Sequence, residues 1–352
     1  KNAKDNDTLV VSLSILEHYI KLPSFYKFLP DVLSFLTFTI SRLRTASDQF
    51  GQSVFRLLTQ VLITFDKLKL PPDFTRALVT FCGGQLEVHD SCDQIFDTLK
   101  LVMNRRKDIP EIYDLAQPAL ELVIRAFSSQ VRKRAAQFVA TFMSIYKVSS
   151  KQFKKLLQFA LDNLASSKAT ARKSLLIFLK HLIKECQMEN VLDQYTELIL
   201  AYLGTRIANE LDENILPKLR KVIGLLLKSV TNSRFLSMWN LMIKWSSTSG
   251  KIVRTGLLLL AICIEYCAAA MVDLFEPLQQ VVDVHINSES FKVKIAATEL
   301  HRQIVIASSE IGFTPNLLTT QKILELLSQR ETVQTGCELL HWYLSEYMEL
   351  FN

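Results

Sequence analysis

Three sets of side chains in this sequence could do chemistry. The first is Cys82, His89 and Cys92, spaced C-x6-H-x2-C around Gly83-Gly84. Thiolate and imidazole are zinc ligands, but a structural zinc site takes four, and no fourth stands nearby, so no metal site is expected. The second is Cys263 and Cys267, one helical turn apart in an apolar stretch, where they read as small core residues. The third is cationic. Arg132, Lys133 and Arg134 form one cluster; Lys151, Lys154 and Lys155 a second; Lys168, Arg172 and Lys173 a third. Clustered Lys and Arg bind phosphate backbones without reading sequence, and such binding weakens as salt rises. No aromatic residues are interleaved with them, so base stacking is not expected. The competing use of such cations is a solvated face whose long stems cover apolar neighbours.

Catalytic patterns are missing. There is no G-x-S-x-G, P-loop, H-E-x-x-H or dinucleotide fingerprint in the chain. His18, His181, His285, His301 and His341 fall in separate helical stripes, and acidic pairs such as Asp212-Glu213 sit at helix starts, where they suit the helix dipole. The expectation is a protein that is not an enzyme, with no catalytic residues, no cofactor and no small-molecule substrate.

The distribution of charge is more telling than its sum. The chain of 352 residues carries 41 Lys and Arg against 35 Asp and Glu, net +6. Residues 1–127 hold 15 of each sign; residues 128–190 hold 12 basic and 3 acidic, net +9; residues 191–352 hold 14 basic and 17 acidic, net −3. The excess therefore lies in about one and a half structural repeats. Positive charge near a helix N-terminus opposes the macrodipole by a few tenths of a kcal/mol per residue. Packing or a polyanionic partner explains the placement better than local helix stability does.

The elements that must position these residues are helices. Val131, Ala135, Phe138, Val139, Phe142, Met143 and Tyr146 follow the i, i+3, i+4, i+7 spacing of one helical face. Phe153 to Leu164 and Ala171 to Leu182 repeat the pattern, and no stretch alternates with period two. Only nine glycines occur, which argues against hairpin-rich β folds. The run GLLLLAICI (256–264) is about half the span a bilayer needs and reads as a buried core helix, so no membrane is expected. Polar breaks separate the stripes, and Ser128, Ser149, Thr231 and Thr314-Pro315 are candidate helix caps.

Helix pairs begin near Ser129, Ser167, Asp212, Ser249 and Ser290, at steps of about 38, 45, 37 and 41 residues. That is the spacing of HEAT or armadillo repeats. The unit starts are alike: VRKRAAQFV, TARKSLLIF, IVRTGLLLL and VKIAATELH. The expected fold is all-α, a HEAT/armadillo-like α-solenoid of antiparallel helix pairs. Residues 1–127 would be divergent helical repeats and 128–352 regular HEAT-like repeats. Each pair would stack on its neighbours because it cannot bury its stripe alone. In such a stack equivalent positions, such as the clusters that open successive repeats, would line up as a ladder along one edge, with Lys151, Lys154 and Lys155 between them at the start of the intervening helix. Six scattered cysteines fit reduced thiols in a cytosolic or nuclear protein.

From 131 to 284 the succession VRKRAAQFVATFMSIY, KQFKKLLQFALDNL, ARKSLLIFLKHLI, WNLMIKW and VRTGLLLLAICIEY resembles the down-regulated-in-metastasis family, the very large HEAT-repeat protein of the small-subunit processome. Its turns differ, with KVSSK at 147–151 and LASSKATARK at 164–173. The resemblance implies a non-enzymatic nucleolar scaffold in ribosome biogenesis. It would act in 18S rRNA maturation and touch pre-ribosomal or small nucleolar RNA and other assembly-factor proteins. This chain would then be a fragment of a much larger one. The alternative is a HEAT-repeat protein–protein adaptor such as a nuclear transport receptor.

Overall fold

The computed structural model describes the chain except residues 1, 44–47, 87–92, 107–108, 147, 187–191, 272–273, 312–313 and 347–352. Among the described residues there are α-helices, short 3-10 turns and no strand. The chain is an all-α solenoid of stacked helix pairs, in two compact units, Lys1–Glu185 and Cys186–Asn352.

The first unit contains α1 (Asn2–Tyr19), α2 (Leu29–Ile40), α3 (Gln49–Thr64), α4 (Pro72–Leu86), α5 (Asp93–Arg105), α6 (Glu111–Arg125), α7 (Ser129–Ile145), α8 (Ser150–Asp162) and α9 (Ala169–Cys186). It is a two-layer stack. The odd helices α1, α3, α5 and α7 pack side by side, and α2, α4, α6 and α8 form the other layer. Short turns make sequence neighbours antiparallel, so every second helix points the same way. Phe96 on α5 packs on Phe138 of α7 with ring centroids 5.8 Å apart. Such fully buried aromatic and leucine side chains contribute roughly 1.5–3 kcal/mol each over exposure.

The second unit contains α10 (Thr196–Asn209), α11 (Leu216–Ser229), α12 (Asn232–Ser246), α13 (Lys251–Cys267), α14 (Phe275–His285), α15 (Phe291–Ile311), α16 (Thr320–Ser328) and α17 (Val333–Glu346). Here α11, α13, α15 and α17 form the continuous layer. Helix α13 holds GLLLLAICI and touches α10, α11, α12 and α15, which explains why it is apolar nearly all round. No described helix is long and apolar enough to cross a membrane. Gly256 sets how closely α12 and α13 approach: a Cβ there would stand 2.5 Å from the backbone nitrogen of Ser246.

The repeat starts fall at Ser129, Ala169, Leu216, Lys251 and Phe291, within a few residues of those expected. Two of the expected caps form. Ser128 accepts from the Val131 N–H at 3.4 Å and Ser149 from the Gln152 N–H at 3.3 Å. Thr231 precedes α12, but its hydroxyl donates to the Asp193 carboxylate at 2.9 Å instead of capping. Thr314-Pro315 opens no helix. The chain stays irregular until α16, which Thr319 caps by accepting from the Lys322 N–H at 3.3 Å. The preceding Leu318 N–H is taken by the Tyr343 hydroxyl at 3.0 Å, which holds this stretch outside a helix.

Candidate nucleic-acid interface

The cations of residues 132–173 divide into two kinds. Arg132 and Arg172 each occupy the fourth position of their helix, α7 and α9. The turns before those helices share one geometry: Ala126 has φ −58, ψ 139 and Ser166 has φ −52, ψ 139. An extended residue at the end of a helix leaves carbonyls outside the helical ladder, and they need donors. Arg132 Nη1 donates to the carbonyls of Ala126 and Phe127, both at 2.7 Å, and its Nε donates to Ser174 Oγ at 3.1 Å. Arg172 Nη1 donates to the carbonyls of Ser166 and Ser167 at 2.8 and 3.0 Å. Arg172 is only 7% exposed. These guanidinium groups lock their own turns, and packing accounts for them without a partner.

Arg134, half-exposed, reaches across the layer to the Asp97 carboxylate of α5 at 3.0 Å. Lys173 is partly buried on α9. The solvent-facing cations are Lys133, Lys151, Lys154, Lys155 and Lys168. Lys151, Lys154 and Lys155 follow an i, i+3, i+4 pattern and share one face of α8, whose first acidic residue is Asp162 at its far end.

Hydrogen bonds between α7 and α9 fix where these groups lie. Arg132 meets Ser174; Gln137 Nε2 meets His181 Nε2 at 3.3 Å; Thr141 and Ser144 both donate to Glu185, at 3.0 and 3.2 Å. The offset is 42–44 residues at each of the first three pairs, so α7 and α9 are parallel and in register. Their N-termini, with Lys133 and Lys168, lie at one end of the helix pair. Helix α8 runs the other way, which puts Lys151, Lys154 and Lys155 toward the opposite end of α7, a 17-residue helix about 25 Å long. The clusters that open α7 and α9 therefore share one edge of this unit, and the α8 lysines form a second row toward the other edge.

The fold adds cations that spacing alone did not single out. Burial lowers the His181 pKa, Glu185 opposes this, and Lys100, Lys180 and Lys184 push it down further. Lys180 and Lys184 bracket His181 on α9, a helical i, i+4 spacing that could have marked them. Lys100 belongs to α5, and only the stacking of α5, α7 and α9 brings it near. Of the other chemical candidates, His89 and Cys92 lie outside the described residues. Cys82 and Cys263 are buried, Cys267 less so. Cys267 is lowered in pKa, first by its hydrogen bond with Cys263, with Lys228 adding to the effect. Among the described residues, no three His, Cys, Asp or Glu side chains converge as metal ligands.

No family model matches the chain. It is similar to U3 small nucleolar RNA-associated protein 20 of Saccharomyces cerevisiae, with 24% identity over 161 residues, covering 41% of this chain and 6% of that protein. Among solved structures it is similar to the karyopherin Kap121p bound to the SUMO protease Ulp1p, with TM-score 0.57 and 13% identity over 91% of this chain and 35% of that one. Kap121p bound to Nup53p gives TM-score 0.57 and 13% identity, covering 89% and 33% of the two chains. Kap121p alone gives 0.55 and 14%, covering 94% and 35%. At such identities the structural likeness shows the fold, a HEAT-repeat solenoid. The chain spans about a third of the length of these structures and a far smaller share of the curated relative.

Proposed function

We propose that this chain is a non-enzymatic scaffold of ribosome biogenesis that holds pre-ribosomal or small nucleolar RNA by its phosphate backbone. In this reading it is a nucleolar component of the small-subunit processome and a member of the down-regulated-in-metastasis family, working alongside other assembly-factor proteins. The observation that carries the RNA contact is the face of α8, where Lys151, Lys154 and Lys155 stand in solvent side by side. Lys133 and Lys168 supply a second row at the other edge, with Lys173 nearby. Arg132, Arg134 and Arg172 serve by holding the turns and helices that present the lysines. The partial similarity to a small nucleolar RNA-associated protein supports the same reading.

A protein-binding adaptor is the second reading. It is favoured by Tyr26, Phe28 and Phe38, which are 68%, 58% and 53% exposed around α2. Binding of labelled single-stranded RNA, followed by fluorescence anisotropy, separates the two. Changing Lys151, Lys154 and Lys155 to Glu is expected to weaken binding at least about tenfold, since each forms a phosphate contact. Undiminished affinity in that variant would overturn the RNA reading and favour the adaptor.

A further inference from the structure

The second unit contains a cleft that the RNA reading above does not use. It has a volume of about 790 Å³ and is bounded by the end of α10, the start of α13 and the turn between α14 and α15. Lys251, Arg254 and Lys292 line it, together with His285, Ser288 and Ser290. Among the described residues lining it, none is acidic. This stands out in a region whose net charge is −3.

The turn before α13, which lines the cleft, is built differently from those before α7 and α9. Gly250 adopts φ +79, ψ −152, a conformation that side-chain-bearing residues rarely reach. Arg254, at the fourth position of α13, donates across the gap to the carbonyl of Ala208 at the end of α10. His285 Nε2 donates to the Ser246 carbonyl at 2.7 Å, fixing the imidazole at the wall. Lys251 and Lys292, both exposed, stand at the rim.

We infer that this cleft seats the phosphodiester backbone of single-stranded RNA. Two exposed lysines on separate helices, Lys251 of α13 and Lys292 of α15, with Arg254 behind them held to the Ala208 carbonyl, suit successive phosphates along a strand. A single phosphorylated side chain would instead call for converging arginines. The volume falls within the range of small-ligand sites and accommodates a nucleotide. Ile252 and Val293 offer apolar wall for a sugar or base edge, and among the described lining residues there is no Phe, Tyr or Trp for stacking and the His285 ring is tied to the Ser246 carbonyl, so little base preference is expected. The site is separate from the α8 face and goes beyond that reading.

The test uses the full chain and a labelled 12-nucleotide oligouridylate. The double variant Lys251→Gln/Lys292→Gln is expected to bind about fivefold more weakly, and the slope of log affinity against log salt should shrink by about 1.4, two single-strand phosphate contacts. Lys221→Gln, an exposed lysine on α11, should leave both unchanged. A 4-thiouridine oligonucleotide should cross-link to peptides spanning 250–255 and 285–293. Affinity within twofold of the parent, or cross-links confined to other peptides, overturns the inference. So does a phosphoserine peptide that occupies the cleft while RNA binding is unaffected. Loss of binding in the α8 variant alone would sink the cleft and leave the α8 reading standing; loss in the cleft variant alone would do the reverse.

Discussion

The turns before α7 and α9 and the turn before α13 begin with similar sequences and end in different physics. Arg132, Arg172 and Arg254 all occupy the fourth residue of their helices, as Lys294 does in α15. In the first unit the turn residues Ala126 and Ser166 are extended, their carbonyls are left over, and the arginine folds back to take them. In the second unit Gly250 turns the chain the other way; Arg254 bonds to α10 and Lys294 to Glu325 of α16 at 3.2 Å. A cation at this position is a recurring structural part, and the turn ahead of it decides which acceptor it serves. The positive charge that a partner can meet is what remains outside that arrangement, which is lysine.

This contrast orders the expected effects of substitution. Arg172→Ala should be the most damaging, at about 3 kcal/mol, because two part-buried carbonyls lose a charged donor and the buried stem leaves a void. Urea unfolding of the variant measures it, and a loss under about 1 kcal/mol would show that the turn does not depend on the clamp.

Acid should strike the second unit at a comparable scale. His301 on α15 is fully buried against the Tyr343 hydroxyl of α17, and burial lowers its pKa to about 4. The unfolded chain protonates near pH 6.5, so this contribution is intact above 6.5 and drains away as pH falls toward 4. The loss there is about 3 kcal/mol, from 1.36 kcal/mol per pKa unit. Hydrogen exchange between pH 7 and 4 should show α15–α17 losing protection, and His301→Gln should flatten that dependence. An unchanged profile in the variant would remove His301 from the account.

Gly256→Ala should cost about 2 kcal/mol by forcing α12 off α13, an overpacking effect. Arg254→Met, which gives up one carbonyl bond where Arg172 gives up two, should cost about 1.5 kcal/mol in the same unfolding assay. Lys133→Gln should change stability by less than about 0.5 kcal/mol, as for a solvated side chain. An equal cost at Lys133 and Arg172 would erase the distinction between internal and external cations.

The repeat was legible because the apolar period that drives stacking is written locally in each helix. Starts expected at Ser129, Ser167, Ser249 and Ser290 fall within two residues of the observed α7, α9, α13 and α15. Ser128 and Ser149 read correctly as caps for the same reason. Thr314-Pro315 misled because its signal is equally local, whereas a bond from Leu318 to Tyr343, 25 residues away, decides where α16 begins. The basic band was legible as charge but not as geometry. Arg132 and Lys133 look alike in a count, yet backbone dihedrals turn one inward. Helix direction then sends the α8 lysines to the far edge, and stacking recruits Lys100 from outside the band.

The most direct test of this division is the salt dependence of RNA affinity for the parent chain and for Lys151→Gln/Lys154→Gln/Lys155→Gln. If the α8 lysines hold phosphates, the log–log slope should shrink by about 2, three single-strand contacts, while urea unfolding stays as in the parent. An unaltered slope in a folded variant would contradict the account.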